Sequence, residues 1–415
     1  MNKILIILIS LVILQSCQKT KTEYLKENRF DLTASNFDFP QKDFRIIGFG
    51  AYHGSAKTEQ AEYSLLKSLT KNGDIEYYLP ETDYSTGYFF EKYLKTGDTL
   101  LLKDLIVEYG NVAEQEETIE VYKKWKEIKR LNDSLPKENK LAIVGIDNIN
   151  SYKYSTKHLL EIFNFQNYTE KPFQRIVNIV EMDTTDFAVH YKSYSKVALY
   201  NFVKEYEKNP KKYEKDINDK YVFNHIINNL KLTFKDSNRE QTIFENYKYL
   251  DSLYNFKNKQ QFVRFGFFHI EKERENNNPS FFTRLIENNF YERNEVISII
   301  GYLTESRVLW DIIRDEKGSY KSYTTEGGYG IGDYEKEYFR GIENLKSSKN
   351  SDITLFRLNK SNTPYNDGIP DLMEIIMIDK ESNGIGVKGK STTDFLDYAI
   401  LISNSKASIP IQEMK

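Results

Sequence analysis

Cysteine is almost missing from this 415-residue chain, occurring once, at Cys17. A lone thiol closes no intrachain disulfide, and metal sites built from several thiolates are excluded. Histidine is scarce at five residues, and tryptophan scarcer at two. No sign of charge dominates, because 58 lysines and arginines meet 61 aspartates and glutamates for a formal net charge of −3. The two signs are interspersed, so the basic footprint of a nucleic-acid binder is absent. No apolar run reaches the ~20 residues that a membrane-spanning helix requires. There is no Gly-x-Ser-x-Gly elbow, which removes the main sign of a serine hydrolase. What is plentiful is tyrosine and phenylalanine, 31 and 26 residues, and this predicts aromatic-rich packing.

The N-terminal stretch "MNKILIILISLVILQSC" has a Lys3-bearing head, an apolar run from Ile4 to Leu14, and then Leu14-Gln15-Ser16-Cys17. It reads as a signal peptide over residues 1–16. Leu-x-small-Cys resembles a bacterial lipoprotein cleavage box, with Cys17 as the lipidated first residue of the mature chain. A thiol consumed in that way leaves none for catalysis. Residues 17–43 are polar and read as a tether, so the body is expected at the cell envelope, held to the membrane by acyl chains alone.

Short apolar runs follow: "FRIIGFG" (44–50), "IEYYLP" (75–80), "LAIVGID" (141–147), "QFVRFGFF" (261–268), "EVISIIGYL" (295–303), "ITLFRL" (353–358) and "YAILIS" (398–403). Continuous rather than alternating apolar residues suit strands covered on both faces. Amphipathic helical patterns lie between them. One carries Ile119, Tyr122, Trp125, Ile128 and Leu131, and another carries Ile243, Tyr247, Leu250 and Tyr254. The expectation is an α/β fold with a largely parallel central sheet flanked by helices. The core is assigned to 44–151 and 259–415, with a helical insertion over 152–258. The glycine-rich "GGYGIGD" (327–333) reads as a loop, since no clear strand leads into it.

Ligands of open α/β sheets sit at the carboxyl ends of the strands. His53 follows the first run in "GFGAYHGS", Glu81 ends the second, Asp147 ends the third and His269 follows the fourth. If these strands are parallel neighbours, all four residues converge on one edge.

The same residues carry a resemblance. "GAYHGS", followed 28 residues after its histidine by the Glu81 of "YYLPETD", is similar to the erythromycin esterase family, which opens on Gly-Glu-x-x-His-Gly and ends its next strand with a glutamate. The likeness continues through "ETIEVYKKWKEIKRLN" into "IVGIDN", through the Arg239 and Asn246 of "NREQTIFENYKYL", and on to "FVRFGFFHIEKE" and "DFLDYAIL". It spans residues 44 to 404. Three departures stand out. The motif glutamate is replaced within Gly50-Ala51-Tyr52, and Phe267 and Phe268 precede His269 where the family has His-Asn-x-His. The arginine expected after the first motif is also missing, with Gln60 and Glu62 in that region. The Gly-x-x-His spacing is closer to related haem- and iron-associated lipoproteins and metal-dependent peptidases.

The resemblance implies water attack on an ester or amide of a small molecule, with His53 as general base. Glu81 would be its partner, and His269 would polarise the carbonyl or stabilise the oxyanion. The alternative is that His53 and Glu81 only tie two strand ends together. No cofactor is required, although two imidazoles and a carboxylate (His53, Glu81, His269) are also a catalytic zinc set. Asp147 is a candidate for substrate contact or for a turn cap. Arg239 and Asn246, seven apart on a helix, are candidates for holding an anionic or carbonyl group, or Arg239 bridges to a carboxylate. Glu271 and Glu273 read as solvated charges, His225 as a core residue, and His158 and His190 as exposed. A non-catalytic lipoprotein binding haem or a metal, or an inactive family member, are the competing readings.

Overall fold

The computed structural model describes residues 19–415 apart from 72, 74, 112, 182–185, 190–192, 317 and 328–332. The leader, Cys17, His190 and most of the glycine-rich stretch therefore lie outside the described residues. Among the described residues, no helix is long and apolar enough to cross a membrane.

The strands are β1 (Arg29–Asp31), β2 (Ile46–Gly50), β3 (Tyr77–Pro80), β4 (Ala142–Ile143), β5 (Gln261–Phe265), β6 (Val296–Thr304), β7 (Val308–Arg314), β8 (Tyr320–Glu326), β9 (Asp333–Tyr334), β10 (Glu337–Phe339), β11 (Ile353–Arg357), β12 (Ile375–Met377) and β13 (Tyr398–Ser403). Eight of them form one sheet in the order β1-β11-β13-β6-β2-β5-β3-β4. From β13 to β4 every neighbouring pair is parallel, and β11 and β1 close one edge antiparallel. The continuous apolar runs do end up covered on both faces: β2, β5, β6 and β13 are buried along their whole length. Ile46, Leu79 and Val263 belong to the hydrophobic cluster on one face, and Ile47, Tyr78 and Phe262 to the cluster on the other. The α/β fold with a largely parallel sheet is as the runs indicate.

Between β4 and β5 the described chain is helical, with Tyr152–Ile162, Lys171–Glu181, Tyr194–Lys208, Pro210–Tyr213, Lys220–Phe234 and Arg239–Tyr254 as its helices. Phe163, Phe173, Phe202 and Phe223 interlock at the centre of this segment. They share one cluster with Leu79 and Val263 of the sheet, so these helices have no separate core. On the other face, helix Ile119–Ser134 buries Tyr122, Trp125 and Ile128, and Trp125 stacks on Phe90 with centroids 4.0 Å apart.

Two regions depart from the sequence reading. From Lys21 onward the expected tether is part of the fold. Helix Lys21–Glu27 starts at a capping box between Thr20 and Glu23 and buries Tyr24 and Leu25, and β1 then pairs with β11. A three-residue edge strand and a seven-residue helix carry too few apolar positions to show a period. The β7–β8 hairpin and the small sheet β12-β10-β9 were not anticipated either. β8 is largely exposed, so no buried face marks it.

One close crossing sets the geometry at the site end. A Cβ on Gly145 would lie 2.0 Å from the carbonyl oxygen of Asp83, and one on Gly87 would lie 2.4 Å from the Gly145 nitrogen. Two glycines thus let the chain after β4 run against the turn after β3, where the Asp147 N–H donates to the Thr82 carbonyl at 3.0 Å. Gly145→Ala forces backbone apart here, and we expect it to cost at least about 2 kcal/mol in urea unfolding. Stability unchanged within about 0.5 kcal/mol would show that the crossing is not tightly constrained.

Candidate functional site

β2, β5 and β3 are adjacent and parallel, so their carboxyl ends open onto one edge. His53 lies three residues past β2, Glu81 directly past β3, and His269 four residues past β5, in a short 3₁₀ turn over Phe267–Ile270. Nε2 of His53 stands 3.9 Å from Glu81 Oε2, and Nε2 of His269 stands 3.7 Å from Glu81 Oε1. Gly266 sits among the three. A Cβ there would lie 3.5 Å from the His269 ring, 3.8 Å from His53 Nε2 and 3.9 Å from Glu81 Oε1. Glu81 Oε2 is buried without a hydrogen-bond partner and faces this space.

Each imidazole is backed by its own glutamate. His53 Nδ1 is hydrogen-bonded to Glu116 Oε1, and His269 Nδ1 to Glu240 Oε1. Neither glutamate was singled out from the sequence. Glu116 belongs to the 3₁₀ turn Glu114–Glu116 before helix Ile119–Ser134, and Glu240 is the second residue of helix Arg239–Tyr254. "EQEE" is four polar residues with nothing local to separate one from the next. Glu240 had a signal, adjacency to Arg239, that went unused.

Arg239 bridges two carboxylates. Nη2 donates to Glu81 Oε1 at 2.7 Å and to Asp147 Oδ2 at 2.5 Å, and Nε donates to Asp147 Oδ1 at 3.0 Å. Asp147, a candidate for substrate contact, is fully buried behind the site and also accepts from the Asn148 N–H. Asn246, a candidate together with Arg239 for holding an anionic or carbonyl group, donates to the carbonyls of Ile146 and Asp147, both at 3.1 Å. Both residues therefore hold the strand end rather than face the opening, because unpaired backbone carbonyls and a buried carboxylate need these donors.

Other expectations are corrected. His158 is buried, hydrogen-bonded to Ser85 and stacked on Tyr88 at 4.1 Å, and burial drives it down to about 4. His225 is in the interior as expected, and burial takes it to about 3. Glu271 is buried rather than solvated, since its carbonyl accepts from Thr283 Oγ1 at 2.9 Å and the segment turns inward; burial holds its carboxyl well above the usual range. Glu273 is half-buried and pairs with Lys390 at 3.2 Å.

Burial alone would lower the pKa of His53, but Glu116 and then Glu81 outweigh it and the net shift is upward. His269 is raised in the same way, by Glu240 and then Glu81. Burial would raise Glu81, yet His53, His269 and Arg239 together bring it below its usual value. Glu116 falls to about 2, because His53 and then Arg264 outweigh its burial. Arg264 Nη2 lies 3.8 Å from Glu116, and its Nε lies 3.3 Å from Glu62, which pairs in turn with Lys124 at 2.6 Å.

Among the described residues, no group of three or more His, Cys, Asp or Glu side chains is arranged to hold a metal ion. Both Nδ1 atoms are taken by glutamates, and the two Nε2 atoms approach different oxygens of Glu81. Of the aromatics flanking the histidines, Phe267 stacks on Phe339 at 5.6 Å and Tyr52 contacts both hydrophobic clusters.

No family model matches this chain, and no curated protein matches it by sequence. Solved structures do. A Bacillus cereus protein is similar with a TM-score of 0.59 at 16% identity, over 94% of this chain and 98% of that one. A succinoglycan biosynthesis protein gives 0.56 at 13% identity, over 95% and 99%. The erythromycin esterase EreC, a mutant in its open conformation, gives 0.57 at 12% identity, over 92% and 98%. At these identities the likeness is one of fold. The resemblance read from the motifs is thus met at the level of the fold that this chain shares with an erythromycin esterase.

Replacing Arg239 by Met strips the cation from two buried carboxylates. We expect a loss of about 2 kcal/mol in urea unfolding at pH 8, below the full value for a buried pair because the guanidinium is partly exposed. Glu81 is depressed in the folded state, so its contribution is present above the unfolded value of ~4.3 and is lost as pH falls through the folded one. The penalty in Arg239→Met should therefore shrink as pH falls below ~4.3. A pH-independent penalty would place the effect in packing rather than charge.

Proposed function

We propose that this protein is a hydrolase acting on a carboxylic ester or lactone of a small molecule, with His53 as general base. The observation that carries this reading is the paired arrangement of His53–Glu116 and His269–Glu240 around Glu81 at the carboxyl edge of a parallel sheet. On this reading Glu116 accepts the Nδ1–H of His53 and so leaves Nε2 as the basic nitrogen. The 3.7 and 3.9 Å separations from Glu81 exceed a direct hydrogen bond and leave room for a water beside Nε2. His53 takes a proton from that water as its oxygen bonds the carbonyl carbon. The protonated His269, favoured by Glu240, donates Nε2–H to the oxygen on which negative charge develops. When the intermediate collapses, the C–O bond to the alcohol breaks and the leaving oxygen takes the proton held by His53. Acid and alcohol are the products.

The likeness to EreC in fold supports the reaction class, and the departures in the motif leave the substrate open. Reading Leu14–Cys17 as a lipidation box, we place the enzyme at a bacterial envelope, anchored through acyl chains, with a small molecule as its partner.

His53→Gln assayed on a panel of esters and macrolactones should lose at least about 100-fold in kcat/KM, the usual scale of general-base catalysis. Wild-type rates in that variant would sink the mechanism. Because the pKa of His53 is raised, activity should climb with pH through an inflection above the ordinary imidazole value of ~6.5. In Glu116→Gln that inflection should move down, since the carboxylate favouring the imidazolium is gone. An inflection that stays in place would assign the titration to another group.

A further inference from the structure

The hairpin formed by β7 and β8 leaves the sheet after β6 and presents Trp310 and Ile313 to solvent on its outer side. Its inner side is occupied in a specific way, because β7 touches the segments carrying both members of the His53–Glu116 pair. At the histidine, the Leu309 N–H donates to the Gly54 carbonyl at 2.8 Å, and the Ser408 N–H donates to the same oxygen at 2.8 Å. Gly54 has φ +77, and a Cβ on it would lie 2.7 Å from the Leu309 carbonyl oxygen, so only glycine lets β7 approach this closely. At the glutamate, Gln115 Nε2 donates to the Trp310 carbonyl at 2.7 Å, and the Ile312 N–H donates to Glu114 Oε2 at 3.2 Å. One residue beyond the turn, Arg314 Nη2 donates to Glu117 Oε2 at 2.6 Å.

Glu116 thus sits in the middle of four consecutive residues of which the other three are each tied to β7. We propose that Gln115 and Arg314 are positioning residues, holding the Glu114–Glu117 turn on β7 so that Glu116 meets Nδ1 of His53. This rests on the hydrolase reading for its catalytic meaning, although the placement itself does not. The pair is long-range, its members 63 positions apart, and the turn carrying Glu116 is a single 3₁₀ turn. Such a turn has little stability of its own, so its register comes from what it is bonded to. Among the strands of the described residues β7 alone is bonded to both sides of the pair; the C-terminal segment also reaches both, through Ser408 on Gly54 and Ile411 on Glu117, and the two together fix their relative position. The other charges facing His53 are Glu81 from the end of β3 and Arg264 from β5, and neither belongs to the clamp.

The test needs no substrate. An imidazole Nδ1–H held by a buried carboxylate exchanges slowly and gives a far-downfield proton resonance. His53→Gln and His269→Gln identify the two expected signals by deleting one each. In Gln115→Ala/Arg314→Ala the His53 signal should broaden or vanish while the His269 signal persists, and Arg314→Lys should retain both. An unchanged His53 signal in the double variant overturns the proposal. Should the double variant lose both signals, the single variants decide by the same criterion. On any ester that the wild type hydrolyses, kcat should fall roughly tenfold with KM within about twofold, the pattern of a displaced catalytic group. If His53→Gln hydrolyses as fast as wild type while the resonance still responds to the clamp, the hydrolase reading fails and the positioning stands.

Discussion

Two carboxylates, Glu81 and Asp147, are buried at the ends of neighbouring strands, and burying such charges is costly without a cation between them. Arg239 is that cation, and its planar guanidinium reaches both at once. It enters from the first turn of a helix belonging to the long helical segment between β4 and β5. The same helix brings Glu240 to His269 and Asn246 to the carbonyls after β4. The helical segment thus supplies one wall of the site.

The second wall is electrostatic. Behind His53 lie Glu116, Arg264, Glu62, Lys124 and Glu59, all buried. Burying so many charges costs several kcal/mol per ion unless each is paired, and here each cation faces two carboxylates. Glu59, at the far end, is raised to about 7 by its burial, against the pull of Lys124. The result is a graded interior: the carboxylate next to the imidazole is held firmly ionised, while the one furthest from it titrates near neutrality.

Much of this was legible in the sequence, and the boundary of what was legible follows a physical line. Parallel strands buried on both faces leave continuous apolar runs, so β2, β3, β5, β6, β11 and β13 could be located, and with them His53, Glu81 and His269 at their ends. Glu116 could not be located, because a glutamate among 61 acidic residues acquires a role only through a partner 63 positions away, and Glu240, 29 positions from its histidine, has adjacency to Arg239 as its one local mark. Asp147 and Asn246 were visible as polar residues at the right place, but whether they face outward or brace the backbone depends on the close passage at Gly145. His158 was misread because its helix hides it under Tyr88, an aromatic contact contributed by a separate helix. The hairpin escaped for the opposite reason, since β8 is largely exposed and β7 buries Val308, Leu309 and Ile312 without strict alternation.

The glutamate expected three residues before the histidine is absent, yet a carboxylate still meets His53, delivered from a turn beyond the next three helices. Such a contact depends on how the chain is folded and not on the residues next to the histidine. Two chains can then present the same atoms to a bound molecule and share no ordered string of letters around them.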